Sequence, residues 1–155
     1  MYRPSHWALA GSDLYYGDVL GAAPARIGTF EVDGCDYTFV DGLPQPTGKD
    51  HTPDDLEIIA MGPALAYEED HFAGHVPLGD PGTAGDDSKE GVTWRADADG
   101  HRRPVYGAGM MATFTKGRGT VFNSGSSEWV AGLIHRDWFV EKITATVLRR
   151  LGDAG

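Results

Sequence analysis

The chain of 155 residues is long enough for one domain with a buried core, and its hydrophobic content of 41% is ordinary for a globular protein. The 22 glycines and 9 prolines argue against a helical bundle and indicate many turns and long loops. A formal net charge of -10 argues against nonspecific nucleic-acid binding, because phosphate contacts need clustered Lys and Arg.

The cysteine content and the apolar runs bear on the cellular compartment. The single cysteine, Cys35, cannot form an internal disulfide, so a reducing cytoplasm is the expected location. No apolar run approaches the roughly 18 residues that a membrane span needs. The N-terminus also lacks the apolar core of a signal peptide. We therefore expect a cytoplasmic protein without a membrane segment.

The first two thirds of the chain are predicted to form strands joined by loops. Residues 41–55 contain three prolines and two glycines, which favour a loop. Residues 63–91 form a long acidic stretch rich in Gly, Pro and Asp, and a loop of that length is either functional or mobile. Residues 96–106 are predicted to be a polar connection. The predicted strands between these segments are residues 26–32, 37–40, 56–61 and 92–95.

The last third of the chain has the clearest pattern. Two strands, residues 110–115 and 120–123, are separated by turn residues, and the serine-rich residues 124–127 then interrupt the chain. A short segment over residues 128–134 follows, and Asp137 can cap a closing helix. The apolar residues of that helix recur at spacings of three and four, as an amphipathic helix requires: Val140, Ile143, Val147, Leu148 and Leu151.

The order of these elements predicts an α/β fold of unusual organisation. A complete doubly wound domain alternates strands and helices throughout, whereas the first half of this chain has almost no convincing helix. We therefore predict that residues 1–155 are a single but incomplete α/β module. It corresponds to the back half of a complete doubly wound domain and carries a β-rich insertion and long loops. Such a module should leave a sheet edge unpaired, so association with a partner is expected.

Two patterns in the long acidic stretch resemble metal sites. His71 and His75 are four residues apart, as in a helical metal pair, but Gly74 and Pro77 favour a solvated loop instead. Residues 80–87 combine acids and glycines without the alternating Asp/Asn pattern of a calcium loop.

Cys35 and the serines are candidates for nucleophiles or binding groups. A nucleophile elbow needs a helix directly after it, whereas a strand follows Cys35, so a structural thiol is favoured. Ser124, Ser126 and Ser127 lie where a strand ends and a helical segment begins, which is where α/β folds collect polar site residues. Capping and turn formation are the favoured explanation of these serines.

Glu31 and Asp33 share one face of the strand predicted at residues 26–32 and just beyond it. Two acids on one face could bind a metal, act as a base and its partner, or face water. Spacing alone favours the solvated face.

Several motifs occur in order along nearly the whole chain. The most specific is the stretch of residues 119–129, Gly-Thr-Val-Phe-Asn-Ser-Gly-Ser-Ser-Glu-Trp. The others are shorter: residues 6–7, 11–14, 17–18, 28–34, 143–144 and 147–148. Together these motifs resemble the C-terminal region of the N,N-dimethylformamidase large (beta) subunit and its relatives.

The resemblance implies the C-terminal part of a class I glutamine-amidotransferase-like (flavodoxin-like) module. It also implies a large subunit that hydrolyses small amides at a mononuclear iron. In that family two tyrosines and a glutamate hold the iron upstream of the matched region, so no residue here is assigned as a metal ligand. Tyr15 and Tyr16 do not occupy the matching positions.

The resemblance implies that Glu31 is a second-sphere acid near the metal, although the Gly-aromatic-Glu-x-Asp motif carries an extra Thr29 here. We predict Glu31 as the catalytic residue, and Asp33, Asn123 and Ser126 as substrate-binding residues.

Two functions are compatible with this reasoning. The first is that the chain is one part of a split amidohydrolase, in which a second subunit supplies the front half and most of the iron site. Alternatively it is a noncatalytic binding or assembly module that keeps the family fold, because fold alone does not determine function. Either function predicts a complex with a second subunit, a homo-oligomer, or both.

Overall fold

The computed structural model describes residues 1–22, 25, 27, 32–63, 93–96, 102–105 and 108–152. Several predictions fall outside these residues: nearly all of the acidic stretch at 63–91, the His71 and His75 pair, residues 80–87, and Glu31. The descriptions below concern the described residues.

The largest sheet consists of three antiparallel strands in the order β3-β6-β7, comprising Glu57–Pro63, Ala108–Lys116 and Gly119–Asn123. The central strand β6 is long and buried over most of its length, because it pairs on both sides. The turn between β6 and β7 needs only two residues, and Gly117 takes its positive φ of 61°. These strands confirm the predictions for residues 56–61, 110–115 and 120–123.

A second hairpin shows that the predicted loop at residues 41–55 was partly wrong. Strands β1 (Tyr37–Val40) and β2 (Leu43–Pro46) pair in antiparallel register across the two-residue turn Asp41-Gly42. Both turn residues have positive φ, 51° and 79°, as a type I′ turn requires. Asp-Gly is a strong hairpin signal, which the neighbouring prolines concealed; proline is tolerated in a strand with an unpaired edge.

Strands β4 (Thr93–Ala96) and β5 (Arg102–Val105) form a separate two-stranded antiparallel ladder. The first confirms the short strand predicted at residues 92–95. The second contradicts the polar connection predicted for residues 96–106, because its four residues pair in the ladder, as does Ala96 at the end of β4. These residues were wrongly predicted to be a connection because the prediction relied on their polar composition alone.

The strand predicted at residues 26–32 is also partly wrong. Ala25 and Ile27 are buried in turns, and Ile27 donates its backbone N–H to the carbonyl of Gly21. Of the described residues in this segment, Val32 is the one that forms a β-bridge, and its partner is Ser126. The intervening residues lie outside the described part of the chain.

Two helices follow β7, and the second one packs on the core. They are α1 (Trp129–Ile134) and α2 (Trp138–Gly152). The Asp137 carboxylate accepts the backbone N–H of Val140 at 3.0 Å, which confirms the predicted cap. Leu148 is 68% exposed, so its assignment to the buried stripe was wrong. The stripe is narrower and consists of Val140, Ile143 and Val147, with Leu151 packed at its edge.

The N-terminal segment covers the other side of this core. The 3-10 helix η1 (Trp7–Leu9) packs on α2, and Ala8 and Leu9 are buried. The backbone N–H groups of Tyr2 and Arg3 both donate to the carbonyl of Ile59 in β3, at 3.0 and 3.2 Å. The hydrophobic core therefore lies between the β3-β6-β7 sheet, the N-terminal segment and α2.

The described part of the chain thus combines helices with sheets, as an α/β class protein does, and each of its ladders is antiparallel. None of its helices is long and apolar enough to cross a membrane.

Candidate functional site

The candidate site is the connection between β7 and α1, residues 123–128, which we call the elbow. The chain leaves β7 at Asn123 and reverses at Gly125, whose φ is 85°. A Cβ atom at this position would lie 2.5 Å from backbone atoms of Met110 in β6. Glycine is therefore required here both for its positive φ and for the close approach of two backbones.

A distant segment of the chain is held against the elbow by backbone hydrogen bonds. Val32 forms an antiparallel bridge with Ser126, and the N–H of Asp33 donates to the carbonyl of Gly125 at 2.9 Å. The carbonyl of Asp33 in turn accepts the N–H of Met110 at 2.8 Å. Residues 32 and 33 are thus fixed between the elbow and β6.

Asn123 connects the two segments through its side chain. Its Oδ1 accepts the backbone N–H of Gly125 at 2.8 Å, and its Nδ2 donates to Oδ2 of Asp33 at 3.2 Å. Because both ends of the amide are engaged, the side chain has one preferred orientation. The Asp33 carboxylate remains exposed, so it is a positioned acceptor that solvent or a ligand can reach.

The serines of the elbow shape its backbone. The Ser126 hydroxyl oxygen accepts the N–H of Glu128 at 3.0 Å, just before α1 begins. The Ser124 hydroxyl donates to the carbonyl of Ser126 at 3.1 Å. These bonds show the turn-forming role that was one of the two interpretations of the serines, and Ser126 is nearly buried while it fulfils that role.

A small cavity of about 90 Å³ lies beneath the elbow. Ser124, Gly125 and Ser126 form part of its wall, and the remaining wall is mostly apolar, with Trp129 and Met111 among the lining residues. The indole N–H of Trp129 donates to the Thr144 hydroxyl at 2.9 Å, which ties this wall to α2. The cavity is large enough for a small molecule of a few heavy atoms.

The structure brings together three of the four predicted site residues. Asp33, Asn123 and Ser126 meet at the elbow, although 90 positions separate Asp33 from Asn123 in the sequence. Glu31 lies outside the described residues, so its position relative to the elbow stays a prediction.

Cys35 behaves as a structural thiol. Its Sγ donates to the Met110 sulfur at 3.6 Å, and the thiol is half-buried. Burial, together with the negative charge of Asp50, raises the pKa of the Cys35 thiol above its usual range. A raised pKa keeps the thiol protonated and therefore a poor nucleophile.

Sequence reasoning missed two buried polar residues. Glu128 is only 3% exposed at the end of the elbow, whereas acidic side chains usually lie on the surface. His6 is enclosed by the N-terminal segment and the sheet, with its side chain 6% exposed. The sequence signal for His6 is its place directly before the short apolar run of η1, where a side-chain acceptor can cap a turn.

Among the described residues, no three His, Cys, Asp or Glu side chains converge in a way that could hold a metal ion. At the elbow Asp33 is the accessible carboxylate, and the Asn123 carbonyl oxygen is already bonded to Gly125. The donors present there do not fit a mononuclear iron by themselves.

Compared with known proteins, the chain matches no family model, no curated protein and no solved structure. The chemical interpretation of the elbow therefore rests on its own geometry.

Proposed function

We propose that this protein is one part or subunit of an N,N-dimethylformamidase-like hydrolase that cleaves the C–N bond of small amides. One observation supports this above the others: the bridge between Val32 and Ser126. It joins the two segments that carry the resemblance, residues 28–34 and 119–129. In a complete enzyme of this kind both segments would contribute to one site.

In this proposal the elbow binds and orients the amide. The exposed Asp33 carboxylate accepts a hydrogen bond from a polar group of the partner subunit or, where the substrate amide is not N,N-disubstituted, from the substrate N–H. Asn123 holds that carboxylate in place through its 3.2 Å bond, and Ser126 fixes the backbone on the opposite side. Because these groups are ordered before substrate arrives, little conformational entropy is lost on binding.

The proposal places the iron mainly on the partner subunit, since the described part of this chain offers no converging set of ligands. Iron would supply a polarised water as the nucleophile when bound. From this chain, Glu31 would act as the proton-transfer group and donate a proton to the departing amine. The fold proposed with this function is the C-terminal part of a class I glutamine-amidotransferase-like (flavodoxin-like) module, acting in the cytoplasm.

Glu31→Gln tests the assignment of the proton-transfer group. The protein would be recovered together with its bound partner from cells that produce it, and dimethylamine release from N,N-dimethylformamide would be measured. Loss of a general acid or base should lower kcat/KM by about 100-fold or more, because the glutamine keeps the shape but cannot titrate. Asp36→Asn is the control, since Asp36 is an exposed acid elsewhere in the same region.

Undiminished turnover by the Glu31→Gln complex would remove the catalytic assignment. A wild-type complex that contains the partner but hydrolyses no small amide would instead favour the second function, a noncatalytic assembly module.

The assembly function is favoured by an exposed apolar patch around α1. Val130 and Ile134 lie on one face of that helix, and Trp138 follows at the start of α2. All three are exposed, Ile134 by 63%. Contiguous apolar surface of this kind often marks an interaction site, and it would serve the amidohydrolase complex equally well.

A further inference from the structure

His6 connects the N-terminal segment with two strands of the sheet. Its Nδ1 accepts the backbone N–H of Ala8 at 3.2 Å and so caps η1. Its Nε2 lies 3.1 Å from the Thr113 hydroxyl in β6 and 3.5 Å from a carboxylate oxygen of Glu57 in β3.

These contacts select one protonation state of the ring. An imidazole nitrogen accepts a hydrogen bond only when it carries no proton, so the bond from Ala8 requires a bare Nδ1. The neutral ring then carries its proton on Nε2, where Thr113 and Glu57 can accept it. A second proton would have to go to Nδ1, where it would face the N–H of Ala8 and abolish the cap.

The surroundings of His6 oppose that second proton. Burial is the largest cause and lowers the pKa of His6 below the ordinary histidine value of about 6.5. The Glu57 carboxylate raises this pKa, whereas the guanidinium groups of Arg3 and Arg150 lower it. Arg150 reaches the site from α2 and lies 5.0 Å from the centre of the Trp7 ring. The charged groups that act on His6 therefore come from β3, the N-terminal segment and α2.

The direction of the resulting pH effect follows from this lowered pKa. The unfolded chain binds the proton more tightly than the folded protein, so the folded arrangement has its full stability above about pH 6.5. That stability decreases as the pH falls from there through the pKa of folded His6. Acid is thus expected to weaken the contacts that His6 makes.

The protonated imidazole of His6 could move into a neighbouring cleft. A cleft of about 410 Å³ lies beside His6, with residues 2–7 on one side and Leu43 and Glu57 on the other. The Glu57 side chain is about half exposed in this cleft. A charged imidazole that leaves Ala8 could therefore pair with Glu57 in a more solvated position.

We propose that His6 is an acid-operated latch for the N-terminal segment. Protonation at Nδ1 breaks the cap on η1 and frees Trp7, Ala8 and Leu9 from α2. Since the same segment covers the edge of β3 through Tyr2 and Arg3, its release exposes that edge and part of the apolar core. Release is local, because Val140 and Ile143 remain packed in the core by the rest of α2.

The test follows the Ala8 amide and the His6 ring by NMR between pH 8 and pH 5. In the wild-type protein the hydrogen-exchange protection factor of Ala8 should fall at least 10-fold, in step with the titration of the His6 ring. His6→Asn supplies a short side-chain oxygen that can cap η1 and that does not titrate, so the decrease should disappear. Protection that stays constant while the ring becomes protonated would overturn the latch.

Two further variants keep the test decisive if His6→Asn does not fold. Glu57→Gln removes the group that favours the charged ring, so the midpoint of the Ala8 transition should move to lower pH. His51→Asn is the matched control: His51 has a φ of 63°, which asparagine tolerates, and it should leave the transition unchanged. A transition that is lost in the His51 variant, or that does not move in the Glu57 variant, would contradict the assignment to His6.

Discussion

The closing helix α2 and the elbow differ in how they are held in place. Helix α2 forms local hydrogen bonds along its own backbone and contributes a stripe of three buried residues to the core. The elbow depends on hydrogen bonds to Asp33 and on the close approach of Gly125 to the backbone of Met110, and both partners lie outside the elbow in sequence. A local pattern therefore specifies the helix, whereas the elbow exists only after two remote segments meet.

This difference predicts where substitutions should be tolerated. On α2 the effect of a change depends on the face of the helix, so neighbouring residues can respond in opposite ways. At the elbow it depends on backbone geometry, and even a methyl group is too large at one position. Three substitutions, each with a matched control, test this contrast.

Val147→Asp should have the largest effect. Val147 is buried in the core stripe, and an unpaired carboxylate there should lower the free energy of unfolding by about 4 kcal/mol or more. Leu148→Asp is the matched control, since Leu148 is exposed and should change stability by less than about 0.5 kcal/mol. Urea denaturation of the two variants gives the comparison. Equal losses would show that the packing face of α2 has been wrongly assigned.

Gly125→Ala should follow, with a loss of about 2–3 kcal/mol. Its Cβ would meet backbone atoms of Met110 at 2.5 Å, and the residue would also keep a positive φ. Gly117→Ala shares the positive φ but meets no atom within 4 Å, so it should cost only about 1 kcal/mol. Thermal unfolding of both variants isolates the contribution of the backbone contact. A loss that is no greater at Gly125 than at Gly117 would mean that the elbow can move away from β6.

Asn123→Ala should have the smallest effect on stability, about 1–2 kcal/mol, because it removes the bonds to Gly125 and Asp33. Thr120→Ala on the exposed part of the same strand should stay within about 0.5 kcal/mol. Chemical denaturation measures both changes. An Asn123 variant as stable as the Thr120 variant would show that the amide does not hold the two segments together.

The structure also shows which predictions from sequence succeed. The β6–β7 hairpin and α2 were predicted because their signals are local: turn glycines, β-forming residues, a capping aspartate and a three-to-four residue period. The β1–β2 hairpin was missed even though its Asp41-Gly42 turn is equally local, because prolines were taken as evidence for a loop. Strand β5 was missed because two of its four residues are arginines and a third is a proline, although its partner β4 directly precedes it among the strands.

The candidate site likewise combines features that were predicted from the sequence with features that only the structure shows. Asp33, Asn123 and Ser126 were predicted from the sequence by itself on two grounds: polar residues that follow a strand, and an expected resemblance to an enzyme family. Only the tertiary structure decided that Asp33 lies 3.2 Å from Asn123, and that Gly125 must approach Met110. Only the tertiary structure enclosed His6 between Ala8, Thr113 and Glu57. The physical reason is that burial and hydrogen bonding between remote segments depend on how the chain packs, and no local pattern of residues encodes those distances.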